Sequence, residues 1–120
     1  MNITKTFGVA EIIFSEIAAH MEHIRRHVDV RHHAALCLQR ISSLKKLRET
    51  IFTTFGITSA DVAFLEKTFA SIEYANEALV QYFAALKDGE ETGMDNPTAM
   101  IFLQFIYDRL KDMRTYFEIQ

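Results

Sequence analysis

Eight positions between residues 62 and 86 constrain this chain more than any other feature. Val62, Leu65, Phe69, Ile72, Asn76, Leu79, Phe83 and Leu86 follow at alternating spacings of three and four, and all but Asn76 are apolar. A strand would divide such a set between two faces, whereas an α-helix gathers it into one stripe. The stripe needs other helices to cover it. Thr58 with Asp61 three residues later reads as a variant capping box, and Gly89 is a natural stop. The spacing therefore predicts a helix from Thr58 to about Lys87. Within it, Asn76 is either a polar residue that fixes register or oligomeric state, or a position that is wet or bonded within its own subunit.

A second pattern follows. Asn96 is a good N-cap and Pro97 a good first helical residue. Ala99, Leu103, Ile106, Leu110, Met113 and Phe117 then form a seam. The first half of this helix also carries Met100, Ile101, Phe102, Phe105 and Tyr107, which point all round the helix at 100° per residue. One small core does not face every direction. Met100, Ile101, Phe102 and Phe105 are thus the candidate interface with a second subunit, with Ile12 and Ile13 the candidates for covering them from within the chain.

Residues 9–54 contain neither glycine nor proline. Phe14, Ile17, Met21, Ile24 and Val28 share one helical face, and Ile41, Leu44, Leu47, Ile51 and Phe55 share another. Leu44 lies about 160° around from Val28, so the face nearly inverts. Two helices with a turn near residues 28–34 explain this. One continuous helix with a different partner at each end is the alternative. With the turn, residues 1–120 form a single all-α domain: an antiparallel, up-and-down bundle of four helices.

Composition limits the function classes. The chain is 49% apolar, with a net charge of −3 and no long uncharged apolar run. No membrane span is expected. The apolar stretch from Val9 to Ala19 carries Glu11 and Glu16, which does not fit a secretory signal. Cys37 is the one cysteine, so there is no internal disulfide framework, and a cytoplasmic protein is expected. Charge is uneven: residues 25–50 are basic and residues 57–96 acidic, so the two segments could face each other within or between chains.

All five histidines fall between His20 and His33. On one continuous helix, Glu16, His20, His23 and His27 make a stripe, and His23 and His27 at i, i+4 could share Zn²⁺ or another transition metal. A turn near Asp29 would bring His32 and His33 to the same end. No Glu-x-x-His pair accompanies them, as helical di-metal centres require. Arg26, His33 and Arg40 recur every seven residues, with Lys45, Lys46 and Arg48 beyond, but no aromatic residue lies among them to stack on bases. There is no glycine-rich phosphate loop, nucleophile elbow or paired-cysteine zinc signature. The carboxylate pairs Glu73/Glu77 and Asp108/Asp112 have helical, solvent-facing spacing, with no base beside them.

These readings converge on a non-enzymatic, homo-oligomeric interaction protein without a cofactor: an adaptor, chaperone-like or regulatory subunit. Its expected partner is a second copy, or another protein. A metal- or haem-binding sensor using the histidine stripe is the alternative. Nucleic-acid binding through residues 25–48 ranks third.

Overall fold

A computed structural model describes residues 2–119, and among these it contains five helical segments and no strand. They are α1 (Ile3–Arg25), α2 (Val30–Lys45), α3 (Leu47–Thr54), α4 (Ser59–Asp88) and α5 (Asn96–Glu118). Lys46 alone separates α2 from α3, and it keeps right-handed helical torsions. The two make one bent arm. Just before the bend, Ser43 Oγ donates back to the Gln39 carbonyl 3.4 Å away, a contact of the kind that bends helices. Four arms result, and α1 packs on α2 and α5 while α4 packs on the same two.

Cross-helix pairs fix the directions. Between α1 and α2, His20 meets His33 and Glu16 meets Arg40. Between α4 and α5, Tyr82 meets Asn96 and Phe64 meets Tyr116. Between α1 and α5, Phe14 meets Tyr107 and Phe7 meets Phe117. In every set one number rises as the other falls, so neighbours are antiparallel. The bundle is up-and-down, as the seams imply.

The expected seams are the core. Leu65, Phe69, Ile72, Leu79 and Phe83 of α4 are buried, against Leu103, Ile106, Leu110 and Met113 of α5. Thr58 caps α4 as expected, its side chain accepting the Asp61 N–H. Asn76 is 1% exposed, which rules out a wet position, and its Oδ1 has no hydrogen-bond partner. The start of α5 differs by one residue. Asp95 is its N-cap, accepting the Thr98 N–H at 2.9 Å. Asn96 instead opens the helix and donates through Nδ2 to the Tyr82 hydroxyl.

The turn between α1 and α2 lies at residues 26–29, not 28–34, so the later residues of the expected turn are already the first turns of α2. Its chemistry explains the offset. The Val28 N–H reaches the His23 carbonyl and the His27 N–H that of Ile24, a Schellman closure. That closure needs a left-handed residue, usually glycine. Here His27 (φ 60°) supplies it, and Asp29 (φ 43°) follows suit. A turn built on histidine and aspartate leaves no glycine to mark it in the sequence. At the far end of α4, Gly89 (φ 73°) makes the same closure in the ordinary way, with the Glu90 N–H on the Ala85 carbonyl.

The ends of α1 and α5 are tied together across the bundle. Arg114 pairs with Glu11, and the ring of Phe7 stacks on Phe117. Tyr116 donates to Asp61 while stacking on Phe64. No helix among the described residues is long and apolar enough to cross a membrane.

Candidate functional site

Two places gather chemistry. One is the α4–α5 face. Asp95 and Pro97 start α5 so that its seam residues Leu103 and Ile106 turn inward and are fully buried. Positions off that seam must then turn outward. Ile101 is 70% exposed and Phe105 37%, Met100 is exposed, and Phe102 is half-buried. Across from them, α4 presents Tyr74, 76% exposed. Ser71, Tyr74, Ala75, Ile101, Phe102 and Phe105 line an open groove of about 420 Å³. Its walls are almost wholly apolar. A polar continuation begins at Ser71 and includes Lys67, Arg109 and Asp112. Arg109 lies over the Phe105 ring, 5.2 Å from its centroid, and pairs with Asp112 at 2.8 Å. The face therefore has an apolar centre with a charged edge, the arrangement common at protein interfaces.

Of the expected interface residues, Ile101, Phe102 and Phe105 thus line one groove, Met100 is exposed outside it, and no described residue closes the groove over. Ile12, offered as a cover from within, is itself 62% exposed. Ile13 lines a second, smaller groove with Val9 and Leu47 on the α1–α2/α3 side. Given the order in which the arms pack, that groove lies on the opposite side of the bundle. Tyr74 was not expected at the site. It lies off the seam, directly after Glu73, and its one signal is a large aromatic at a position the periodicity assigns to solvent.

The other place is the α1–α2 hairpin. The structure does not gather the stripe Glu16, His20, His23 and His27. Glu16 is held by Arg40 Nε at 2.6 Å. His27 has left the helix, because α1 closes at Arg25 and needs His27 for its left-handed turn. In its place α2 brings His33. The Nδ1 atoms of His20 and His33 are 2.9 Å apart, so one ring donates and the other accepts. The His23 ring stacks on His33, 4.3 Å between centroids, and His32 lies edge-on to it at 5.3 Å. Burial pushes both His20 and His33 below the usual imidazole range, aided at His20 by the Arg40 guanidinium and at both by the neighbouring imidazoles. Both shifts favour the uncharged form of the two rings. Among the described residues, no three His, Cys, Asp or Glu side chains converge as metal ligands.

The basic segment is largely engaged within the chain. Arg25 and Arg26 pair with Glu22, Arg40 with Glu16, Lys45 with Glu77 and Arg48 with Glu66. Arg31 donates to the Asp88 carbonyl. The basic and acidic segments thus face each other across α2/α3 and α4 within one chain. Cys37 is buried among core residues, and burial pushes its thiol up to about 12, so it is a packing residue and no nucleophile.

Comparison with known proteins gives no matching family model, no matching curated protein and no matching solved structure.

Proposed function

We propose that the chain is a non-enzymatic interaction protein that assembles with a second copy of itself through the α4–α5 groove. One observation carries this reading: an apolar groove lined by Tyr74, Ala75, Ile101, Phe102 and Phe105 that none of the described residues covers. Contiguous exposed apolar surface of this kind marks an interaction site, whereas scattered apolar residues do not. The choice of a second copy rests on self-complementarity. A two-fold contact requires one patch to offer both hole and knob. Here the groove is the hole, and the projecting Ile101 and Tyr74 at its rim are the knobs. Each large apolar side chain that becomes fully buried contributes about 1.5–3 kcal/mol.

Sedimentation velocity at low micromolar concentration tests the reading. The native protein is expected at twice the monomer mass, and Ile101→Glu and Phe105→Glu at the monomer mass with unchanged helical circular dichroism. Both positions are exposed, so the charge enters the contact and not the core. A native protein that sediments as a monomer refutes the proposal.

A further inference from the structure

We propose that the hydrogen-bonded pair His20–His33 is an acid-released latch between α1 and α2. The geometry carries the argument. The two Nδ1 atoms stand 2.9 Å apart on different helices, so a single proton lies between them and one ring donates to the other. A first extra proton enters at the outer Nε2 of the donating ring. It leaves the bond in place, now charge-assisted. A second can go only to the accepting Nδ1. Two imidazolium N–H groups then point at each other, the bond is lost and the rings part. The latch is closed with at most one extra proton on the pair and open with two.

The surroundings make the second proton costly. The His23 ring lies parallel to that of His33, 4.3 Å between centroids, and His32 meets it edge-on at 5.3 Å. Acid therefore adds like charge around His33 as well as on it. Carboxylates work the other way. Glu16 faces His20 from α1, but it is held by Arg40 of α2, whose guanidinium opposes charge on His20. Asp29 faces His33 from the turn. At the same end of the bundle, the close of α4 and its connection to α5 carry Lys87, Asp88, Glu90, Glu91 and Asp95. There Arg31 reaches the Asp88 carbonyl, and Asp95 is committed to its cap. Both rings of the pair are half-buried, and burial weighs most against the charged form of each. The native imidazoles thus lie below their ordinary value of 6.5, so unfolding takes up protons as pH falls through it. The latch's contribution is complete above that value and is lost as pH falls through the lowered native range. Its release frees a turn closed by left-handed His27 and Asp29. The buried Ile17, Met21 and Cys37 keep the rest of the hairpin packed. The α4–α5 face lies across the bundle, so the latch is independent of assembly there.

Urea unfolding at one protein concentration, at about pH 7.5 and about pH 5.5, reads the latch. The folded-to-unfolded ratio of the native protein should fall several-fold further between the two than that of the double variant His20→Gln/His33→Gln. His20→Gln and His33→Gln alone should each remove as much of this excess as the double variant does, because the latch is a pair. His27→Gln should retain it. Imidazole nitrogen magnetic resonance of the native protein needs no variant, so it stands even if a substitution unfolds the hairpin. At about pH 7.5 the two Nδ1 atoms together should carry one proton, and both rings should change together on acidification. A native ratio that falls no further than the double variant's overturns the proposal. So do single variants that each remove about half of the excess, which means two independent imidazoles. Loss of the excess in His27→Gln overturns it by placing the titrating group in the turn, and any other proton total at the two Nδ1 atoms overturns the bond itself.

Discussion

Replacing Asn76 by leucine should stabilise the protein. Asn76 lies midway along α4, between the buried Ile72 and Leu79, and is 1% exposed. Its Oδ1 accepts no hydrogen bond. A buried acceptor left unsatisfied costs about 1–3 kcal/mol. Leucine branches at the same carbon, removes that cost and adds apolar contact. Against this stands the strain of the extra volume, which in a tight core reaches about 1–3 kcal/mol. The site favours the gain. Ile72 and Leu79, one turn to either side on the same stripe, are buried and apolar, so leucine continues the surface they present. We expect a net gain of about 1–2 kcal/mol, or a Tm rise of about 4–8 °C for a chain of this size. Urea unfolding followed by circular dichroism measures it, at one fixed protein concentration because assembly shifts apparent stability. Asn76→Ala is the control: it also removes the oxygen but leaves a void, and should come out neutral or up to about 1 kcal/mol weaker. A loss of 1 kcal/mol or more in Asn76→Leu, with unchanged m-value, refutes the reasoning and means that Oδ1 has a partner in solution. A change in sedimenting mass would instead assign Asn76 to the choice of oligomer.

Three further outcomes follow from the turn, the core and a cap. His27→Gly should raise stability by about 0.5–1 kcal/mol, since relief of a left-handed histidine exceeds the entropy that glycine adds to the unfolded chain; a lower Tm would show that the His27 ring makes contacts worth more. Cys37 should resist Ellman's reagent at pH 8 until the chain is unfolded, because burial holds its thiol protonated; rapid labelling of the native state would contradict its burial. Asp95 is held below the ordinary carboxylate range, chiefly by its side-chain hydrogen bond with Thr98. Its cap contribution is therefore complete above that range and is lost as pH falls through the lowered native value. Asp95→Asn should flatten part of the stability loss between about pH 5 and pH 2, and identical acid titrations of the two proteins would contradict this.

The long elements were legible because their periodicity has one physical cause. Leu65, Phe69, Ile72, Leu79 and Phe83 recur at helical spacing, and all are buried. The exposure of Ile101 and Phe105 was legible for the same reason, since one helix cannot turn every side toward a single core. The hairpin was only half legible. The inverted face announced a turn, but the residues that make it, His27 and Asp29, are ordinary helix-compatible side chains in a left-handed conformation. That hidden turn also changed the histidine constellation. It removed His27 from the stripe and put His33 beside His20, a juxtaposition that spacing along one helix does not contain. The Lys46 bend left no glycine or proline signal either. The groove was legible on its α5 wall and not at Tyr74, because a contact between two helices depends on their relative rotation.

The tie between α1 and α5 has a kinetic consequence. The α1–α2 and α4–α5 pairs join residues close in sequence, so each hairpin forms with little loop entropy to overcome. Glu11 and Arg114 are 103 residues apart. Their ion pair, with the Phe7–Phe117 stack beside it, forms only after both hairpins have come together. Contacts made that late stand on the native side of the folding barrier. They govern how long the folded chain persists before it opens, and hardly at all how fast it folds.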